Sequence, residues 1–214
     1  MGAACVRCIG FGDDAAHRRL GHPLHHPRDA GASRPDLGAN DQMNDRLRVA
    51  GLTTFGLGFM RPAPGTWGSL PPCGVAWLCA LAAAPAGLTH ALLVVILLVF
   101  SAACVVWGAW GEKRFGRKDA SEIVADETAG QCIPLMFLPA FALDGFWAAS
   151  FTIGGAFVLF RIMDIIKPWP AHGLQRLRHG WGVLVDDLIA GLYAAIVLQI
   201  VVRYIVPLVI NAAP

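Results

Sequence analysis

Residues 91–110 read ALLVVILLVFSAACVVWGAW and contain no charged side chain. An α-helix rises about 1.5 Å per residue, so a stretch of this length reaches across the roughly 30 Å hydrocarbon core of a bilayer. Trp107 and Trp110 stand at its carboxyl end, and tryptophan is typical of the membrane–water interface. The stretch therefore predicts a membrane-spanning helix and sets the fold class for the rest of the chain.

Further apolar segments lie on both sides of this helix. With 56% apolar residues, 15% charged residues and a mean hydropathy of +0.54, the chain is too apolar for an ordinary soluble domain. We predict an all-α, multi-helical integral membrane protein with about four to five apolar helices and polar catalytic segments at the interface. The predicted helices are a hairpin of 73–88 with 91–110, a hairpin of 123–143 with 146–163, and a last span at 188–210.

Basic residues collect at one end of the predicted spans. One cluster directly follows residue 110, and the cytoplasmic ends of spans are typically rich in Lys and Arg. A second basic set returns to the same side after residue 160. We therefore expect the polar segments to lie together at the cytoplasmic face. The two sets are Lys113, Arg114, Arg117 and Lys118, and then Arg161, Lys167, Arg176 and Arg178.

The first 42 residues differ from the rest in composition. They are rich in Arg, His, Pro, Gly and Asp and show no apolar periodicity, which is typical of disorder. No apolar core of sufficient length follows the first basic residues, so we do not interpret them as a signal peptide. We predict a disordered extension over 1–42 and a membrane-embedded helical domain over 43–214, with Met43 as an alternative start.

The densest acidic segment is residues 118–130, KDASEIVADETAG. Like charges one helical turn apart repel each other unless a cation holds them. Mg²⁺ is often held by a few carboxylates together with substrate phosphate. A solvated helix face beside the membrane explains the pattern equally well, and the segment alone does not decide. If the segment is one helix, a single face carries the acids Asp119, Glu122 and Asp126 together with Gly130, and Glu127 lies on the flank of that face.

A glycine- and proline-rich segment, residues 53–70, precedes the first hairpin. We predict a structured loop here and a helix that opens at Pro71 or Pro72, because proline is well tolerated in the first turn of a helix. A loop that feeds a helix N-terminus can bind phosphate through free N–H groups. A plain turn with an N-cap is the simpler interpretation, which the loop taken alone favours. The candidate donors are Gly65, Thr66, Gly68 and Ser69.

Arg161, Asp164 and Lys167 form a third polar segment. Arg161 and Asp164 are three residues apart on one predicted helix face, so we expect them to pair. Pro168 disfavours helix at the residue before it, so Lys167 should project from a helix end.

Two adjacent aspartates, Asp186 and Asp187, stand at the mouth of the last predicted span. Acids in or near a span usually mark function, although an N-cap would also explain Asp186. Ala190 and Gly191 follow one turn later, and small residues let another helix approach closely.

These segments occur in order from about residue 50 to the last span. They read Gly58-FMRPAPGTWG-Ser69, Lys118-D-x4-V-x-D-E-x2-Gly130, Arg161-x2-D-x2-KPW-Pro170 and Gly180-x-GV-x2-DD-x2-A-Gly191. The chain resembles the phosphatidylglycerophosphatase A family. The resemblance implies a Mg²⁺-dependent enzyme of the bacterial inner membrane, with its active site on the cytoplasmic side. Such an enzyme removes the terminal phosphate of phosphatidylglycerophosphate to give phosphatidylglycerol in glycerophospholipid biosynthesis. The long N-terminal extension departs from the family pattern.

We assign roles to these residues on the resemblance and on the needs of phosphate monoester hydrolysis, which requires charge neutralisation and an activated water. Asp164 is a candidate ligand or general base. The expected metal ligands, for one or two Mg²⁺, are Asp126, Glu127, Asp186 and Asp187. The expected catalytic residues are Asp126, Glu127, Asp164, Lys167 and Asp187. The expected substrate-binding residues are Gly65, Thr66, Gly68, Ser69, Lys118 and Arg161, with Lys167 joining them at the phosphate.

Other phosphatase chemistries lack their residues here. The sequence contains no Cys-x5-Arg motif for a cysteinyl-phosphate and no Asp-x-Asp motif for an aspartyl-phosphate. Direct attack by a metal-activated water is therefore the simplest mechanism.

Two alternatives come from other functional classes. A transporter would place its acids near mid-span across an inverted repeat, whereas these acids gather at one interface. A non-catalytic lipid-binding protein would depend on its basic residues rather than its carboxylates. We expect no nucleic-acid partner, and we leave open whether the chain forms a homo-oligomer.

Overall fold

The computed structural model describes residues 39–118, 120–167 and 180–208, and every regular element within them is helical. Two 3-10 turns, Leu57–Phe59 and Ala140–Ala142, connect the longer helices, and the last helix continues as a π-helix over Val201–Ile205. The predicted all-α class is thereby confirmed for the described residues. The α-helices are α1 Ala39–Leu52, α2 Pro64–Leu81, α3 Ala86–Phe115, α4 Ala125–Cys132, α5 Gly145–Ile166 and α6 Gly180–Ile200.

Three helices are long and apolar enough to cross a membrane, namely Ala86–Phe115, Gly145–Ile166 and Gly180–Leu208. At most 28% of the most apolar stretch of each is buried inside the protein. Their outward faces carry exposed side chains such as Leu98 and Phe151, as expected for helices that face lipid. The chain thus has the features of a membrane protein, with three candidate spans in its described part where the sequence predicted four to five.

Helix α2 begins at Pro64, so the predicted loop through residue 70 was wrong. Pro64 stands in the first turn, where its missing N–H costs no hydrogen bond, and Pro71 and Pro72 lie inside the helix. Pro72 has no N–H to donate to the carbonyl of Gly68 one turn earlier. That carbonyl accepts instead from the hydroxyl of Thr128, at 2.7 Å. A neighbouring helix therefore compensates for a proline that the sequence alone marks as a helix start.

The Thr128 hydroxyl predicts a measurable contribution to stability. Thr128 is fully buried, and the Thr128→Val variant would leave the Gly68 carbonyl without its partner. An unsatisfied buried acceptor costs about 1–3 kcal/mol, so we expect a lower thermal unfolding midpoint for the full chain in detergent. Thr128→Ser retains the hydroxyl and is the matched control. Equal midpoints for the valine and serine variants would contradict this account.

The acidic segment 118–130 is not one continuous helix, which corrects the predicted acidic face. Helix α4 begins only at Ala125, because the N–H of Val124 donates to the carbonyl of Leu52 at 2.9 Å. Glu122 lies in the preceding turn, where its carboxylate pairs with Arg117 at 2.8 Å. Asp119 lies outside the described residues.

The predicted span 123–143 is not a single helix either. Helix α4 has eight residues and ends at Cys132. The following residues form turns around Pro134 and Pro139, and neither proline has an N–H to donate to the carbonyl four residues earlier. Helix α4 packs against α2, α3 and α6, and seven of its eight residues are buried. The acids Asp126 and Glu127 thus lie on a short internal helix rather than on a membrane span.

Helix α6 extends to Gly180 at its amino end, earlier than the predicted start of the last span at residue 188. Asp186 and Asp187 therefore lie within the helix, more than one turn from Gly180, and the N-cap interpretation of Asp186 was wrong.

Close backbone contact fixes how α4 crosses α6. A Cβ atom added at Gly130 would lie 2.6 Å from the carbonyl oxygen of Asp187, and one added at Gly191 would overlap the carbonyl of Gly130. The expectation that Gly191 admits a neighbouring helix is confirmed. This crossing sets the distance between the acids on the two helices.

Some predicted features fall beyond the described part of the chain. Helix α1 begins at Ala39, inside the predicted extension 1–42, and residues 1–38 lie outside the described residues. The same holds for Pro168, Arg176 and Arg178. The division of the chain at residue 43 stays a prediction.

Candidate active site

Three carboxylates meet where α4 crosses α6. Asp126 and Glu127 come from the first turn of α4, and Asp187 comes from α6. One oxygen from each lies within 4.8 Å of the others. Asp126 and Asp187 are each 3% exposed, and Glu127 is partly buried. We call Asp126, Glu127 and Asp187 the acid triad.

The glycine contacts explain why these acids meet. Gly191 follows Asp187 by four residues, and Gly130 follows Asp126 by four, so each glycine shares a helix face with an acid. Because the two glycines touch, the turns that carry the acids face each other.

Two buried carboxylate oxygens of the acid triad lack hydrogen-bond partners among the described residues. These are Glu127 Oε2 and Asp187 Oδ2. Asp126 Oδ1 accepts from the N–H of Glu127 at 3.1 Å. Burial raises the pKa of Asp126, and burial together with the charges of Asp126 and Asp187 raises the pKa of Glu127 well above its ordinary value. Carboxylates that share a buried site in this way must bind protons or a cation.

Asp186, the other predicted ligand on α6, lies elsewhere. It is buried and accepts a hydrogen bond from the ammonium group of Lys167. Asp186 shares a face with Ala190, which packs against Phe160 of α5, so the two adjacent aspartates face different neighbours. The structure brings Asp187, but not Asp186, into the acid triad.

Lys167 occupies the position just after α5 in a left-handed backbone conformation, with φ 49°. A non-glycine residue there costs about 1–2 kcal/mol, and its N–H bonds the carbonyl of Met163 at 2.9 Å. Desolvation alone would lower the pKa of Lys167, but the hydrogen bond to Asp186 and the nearby carboxylates outweigh it and raise that pKa. The expectation that Lys167 projects from a helix end is confirmed.

A second cation, Arg161 of α5, lies against the acid triad. Its guanidinium pairs with Asp164 at 2.8 Å, which confirms the predicted pair, and lies 4.0 Å from Glu127 Oε1. Asp164 therefore holds Arg161 beside Glu127.

The amino end of α2 completes this region. A Cβ atom at Gly65 would overlap the Glu127 carboxylate and lie 3.0 Å from Arg161 Nη1, so the α2 backbone touches both groups. The positive end of the helix dipole is thus directed at the acid triad.

Three predicted substrate-binding residues of α2 have structural contacts instead. The carbonyl of Gly68 accepts from Thr128, and the buried hydroxyl of Ser69 donates to the carbonyl of Gly65 at 2.8 Å. The N–H of Thr66 is bonded to Ala63 at 3.0 Å. Lys118 is exposed in the turn after α3 and makes no ion pair within the described part of the chain. Of the predicted phosphate-binding groups, the structure brings Gly65 and Arg161 to the triad.

A family model described as Phosphatidylglycerophosphatase A matches residues 51–202, which include the acid triad, Arg161, Asp164 and Lys167. The chain belongs to this family. Phosphatidylglycerophosphatase A proteins are phosphatases, so the family establishes the chain as an enzyme of that kind and confirms the resemblance drawn from the sequence blocks.

Individual relatives agree with the family. The chain is 36% identical to a protein of Haemophilus influenzae named Phosphatidylglycerophosphatase A, over 67% of this chain and 81% of that protein. It is 34% identical to a Bacteroides thetaiotaomicron protein named Putative phosphatidylinositol-3-phosphatase, over 69% of this chain and 89% of the relative. An Escherichia coli protein named Phosphatidylglycerophosphatase A is 40% identical over 42% of this chain and 48% of its own length. No solved structure matches the chain.

The site also contains residues that sequence reasoning missed. A cavity of about 140 Å³ adjoins Asp126 and Glu127 and is lined in addition by Glu112 and Ser121. Glu112 directly precedes Lys113 and Arg114 in the basic cluster after the first span. The sequence analysis considered only the basic residues there and did not predict Glu112 as a site residue.

Thr54 was missed as well. Its hydroxyl lies 2.7 Å from that of Thr128, so a buried hydroxyl pair ties α4 to the turn after α1. Its only signal in the sequence was a pair of threonines at the start of the glycine-rich segment.

Proposed function

We propose that this chain hydrolyses the terminal phosphate of phosphatidylglycerophosphate, with Mg²⁺ as cofactor, and releases phosphatidylglycerol for glycerophospholipid biosynthesis. Family membership and the names of the H. influenzae and E. coli relatives support the substrate. The observation that carries the proposal is the acid triad, whose buried and unpartnered oxygens lie beside Arg161.

The acid triad fits a hard divalent cation. Such ions take oxygen ligands, and Mg²⁺ is usually bound through one or two carboxylates together with substrate phosphate. Asp126, Glu127 and Asp187 would hold the ion, and Asp186 is left out because it pairs with Lys167. A bound Mg²⁺ would supply positive charge for the phosphate oxygens and would lower the pKa of a water molecule.

The other residues act on the phosphate directly or by orientation. Arg161 would bind phosphate oxygens, because it lies at the triad with its guanidinium already oriented by Asp164. We assign Asp164 this positioning role rather than that of a general base. Lys167 would add a second positive charge, held in place by Asp186. Gly65 keeps the approach to Glu127 open, since any side chain there would fill it.

We further propose that the site faces the cytoplasm at a bacterial inner membrane. Lys113 and Arg114 lie in the last turn of α3, and the cavity at the triad is lined by Glu112 from the same turn. The basic end of this span and the site therefore coincide, and such ends are typically cytoplasmic.

Phosphate release from phosphatidylglycerophosphate by the full chain in detergent micelles tests the proposal. We expect release with Mg²⁺ that stops when EDTA is added and resumes with excess Mg²⁺. Phosphatidylinositol 3-phosphate, suggested by the name of the B. thetaiotaomicron relative, should be offered in parallel to compare kcat/KM. No release from phosphatidylglycerophosphate by a folded preparation in any divalent metal would refute the proposed reaction. It would favour the transport or lipid-binding alternative.

A further inference from the structure

A second cavity of about 260 Å³ adjoins the cavity at the acid triad. Ser121 lines both cavities, so they share a wall. The two differ in charge, because the first contains carboxylates of the triad whereas the second contains two arginines. We call this second cavity the arginine cavity. Its lining is Gly58, Phe59, Arg61, Pro62, Pro64, Arg117, Ser121 and Glu122.

Arg61 is the cation that the arginine cavity leaves available. Within the described part of the chain it makes neither an ion pair nor a hydrogen bond. Its charge does act on Glu122, whose pKa is lowered first by the hydrogen bond from Arg117 and further by the charges of Arg117 and Arg61. Arg117 is engaged, because its guanidinium donates to Glu122 at 2.8 Å and to the Ser121 hydroxyl at 3.1 Å. The described residues that line the cavity thus include two guanidinium groups and one carboxylate, a net positive charge.

The walls of the arginine cavity are held by tight packing. The backbone at Gly58 touches the carbonyl of Glu122 so closely that a Cβ atom would overlap it. Phe59 packs edge-on against Phe115, the last residue of α3, with ring centroids 6.2 Å apart. These contacts fix the turn before α2 against the turn before α4, so less backbone has to be ordered when an anion binds.

We propose that the arginine cavity binds the phosphodiester group of the lipid substrate, through Arg61 and Arg117, while the terminal monoester phosphate lies at the acid triad. This inference rests on the proposed function. It identifies the residues that bind the phosphodiester of the lipid head group. Phosphatidylglycerophosphate carries a diester and a monoester phosphate joined through one glycerol, so its head group needs two neighbouring phosphate sites, and the two cavities share Ser121. Arginine suits the diester because its planar guanidinium can donate two hydrogen bonds to one phosphate.

Product inhibition separates the two phosphate sites. Phosphatidylglycerol retains only the diester and should compete through the arginine cavity, whereas inorganic phosphate should compete at the triad. For Arg61→Gln in the full chain in micelles, we expect the inhibition constant of phosphatidylglycerol to rise roughly tenfold or more, the loss expected for one hydrogen bond to a charged group. The constant for inorganic phosphate should stay within about twofold, and KM should rise while kcat is retained.

Lys113→Gln is the matched control, because Lys113 is an exposed cation in the last turn of α3 that does not line the arginine cavity. It should leave both inhibition constants unchanged. The proposal is overturned if Arg61→Gln leaves phosphatidylglycerol inhibition unchanged. It is equally overturned if both constants rise together, because that pattern reports a general loss of structure or surface charge.

A binding measurement keeps this test independent of the reaction. The full chain in neutral detergent should bind phosphatidylglycerol more tightly than diacylglycerol of the same chains, and Arg61→Gln should remove that difference. If the unsubstituted protein releases no phosphate yet shows this Arg61-dependent preference, the proposed function fails and the arginine cavity stands. If it releases phosphate but shows no preference that depends on Arg61, the reaction stands and the cavity assignment fails.

Discussion

Replacing Asp126 by asparagine should abolish Mg²⁺-dependent phosphate release from phosphatidylglycerophosphate, with kcat reduced at least about a hundredfold. Asparagine has nearly the same size and hydrogen-bonding reach, so it keeps the packing of α4. It removes one negative charge from the acid triad, in which oxygens of all three carboxylates lie within 4.8 Å of one another. Phosphate release in detergent micelles, with Mg²⁺ titrated, measures the loss.

Thermal unfolding supplies a readout of the same variant that does not depend on activity. An ion that binds only the folded state raises the unfolding midpoint, so Mg²⁺ should stabilise the unsubstituted protein over its EDTA-treated form. Asp126→Asn should lose most of that increase. Without metal, the variant should be at least as stable as the parent, because burial and neighbouring charge destabilise the carboxylates there.

Asp144→Asn is the matched control for the acid triad. Asp144 is an exposed acid at the amino end of α5, whereas Arg161 and the site lie toward the other end of that helix. It should retain both turnover and the Mg²⁺-dependent stabilisation. Full activity in Asp126→Asn, or equal Mg²⁺ stabilisation in both variants, would show that the triad holds no catalytic metal.

Gly191→Ala should reduce activity nearly as much as Asp126→Asn does, although it alters no charged residue. The added methyl group would overlap the carbonyl of Gly130, and that atom is backbone, which cannot swing aside like a flexible side chain. Helices α4 and α6 must separate, so Asp187 moves away from Asp126 and Glu127. Displacing a catalytic group by about 1 Å can cost on the order of a hundredfold in rate, and overpacking costs about 1–3 kcal/mol in stability.

Gly154→Ala provides the comparison for this substitution. Gly154 lies on α5, and a Cβ atom there meets nothing within 4 Å. Alanine is favoured over glycine inside a helix by roughly 0.5–1 kcal/mol, so this variant should be active and slightly more stable. Phosphate release and unfolding midpoints should be measured side by side for Gly191→Ala and Gly154→Ala. Equal activity would mean that the close crossing does not position the acids.

Patterns local in sequence allowed the fold class and part of the site to be predicted. Apolar length identifies residues 91–110 and the other two candidate spans, because a bilayer sets that length, but it also selected 73–88 and 123–143, which are not candidate spans. The pair of Arg161 and Asp164 was also within reach, since residues three apart on a helix always share a face.

What was missed depends on contacts between distant residues. Helix α4 begins at Ala125 because Val124 bonds to Leu52, and α2 runs through Pro72 because Thr128 serves the freed carbonyl of Gly68. The distant partners, Leu52 for Val124 and Thr128 for Gly68, cannot be inferred from the local sequence of the helix that they affect. A rule that treats proline as a helix start fails where another helix supplies the missing donor.

The choice between Asp186 and Asp187 was, in contrast, available from spacing. A helix turns about 100° per residue, so two adjacent aspartates point about 100° apart and need not face the same neighbour. Gly191 lies four residues after Asp187, and a glycine on a helix marks the face that another backbone approaches. Using that spacing would have assigned Asp187 to the acid triad and Asp186 to α5 and Lys167.

The outward apolar faces of the three candidate spans also affect how the enzyme senses its substrate. Under the proposed function, a site at the end of helices that lie in lipid would receive its lipid substrate from the surrounding leaflet, by diffusion in two dimensions. The rate should then follow the mole fraction of substrate in the micelle or bilayer rather than its bulk concentration. Dilution with detergent would slow turnover even when the total amount of substrate is constant, and dilution with water would not.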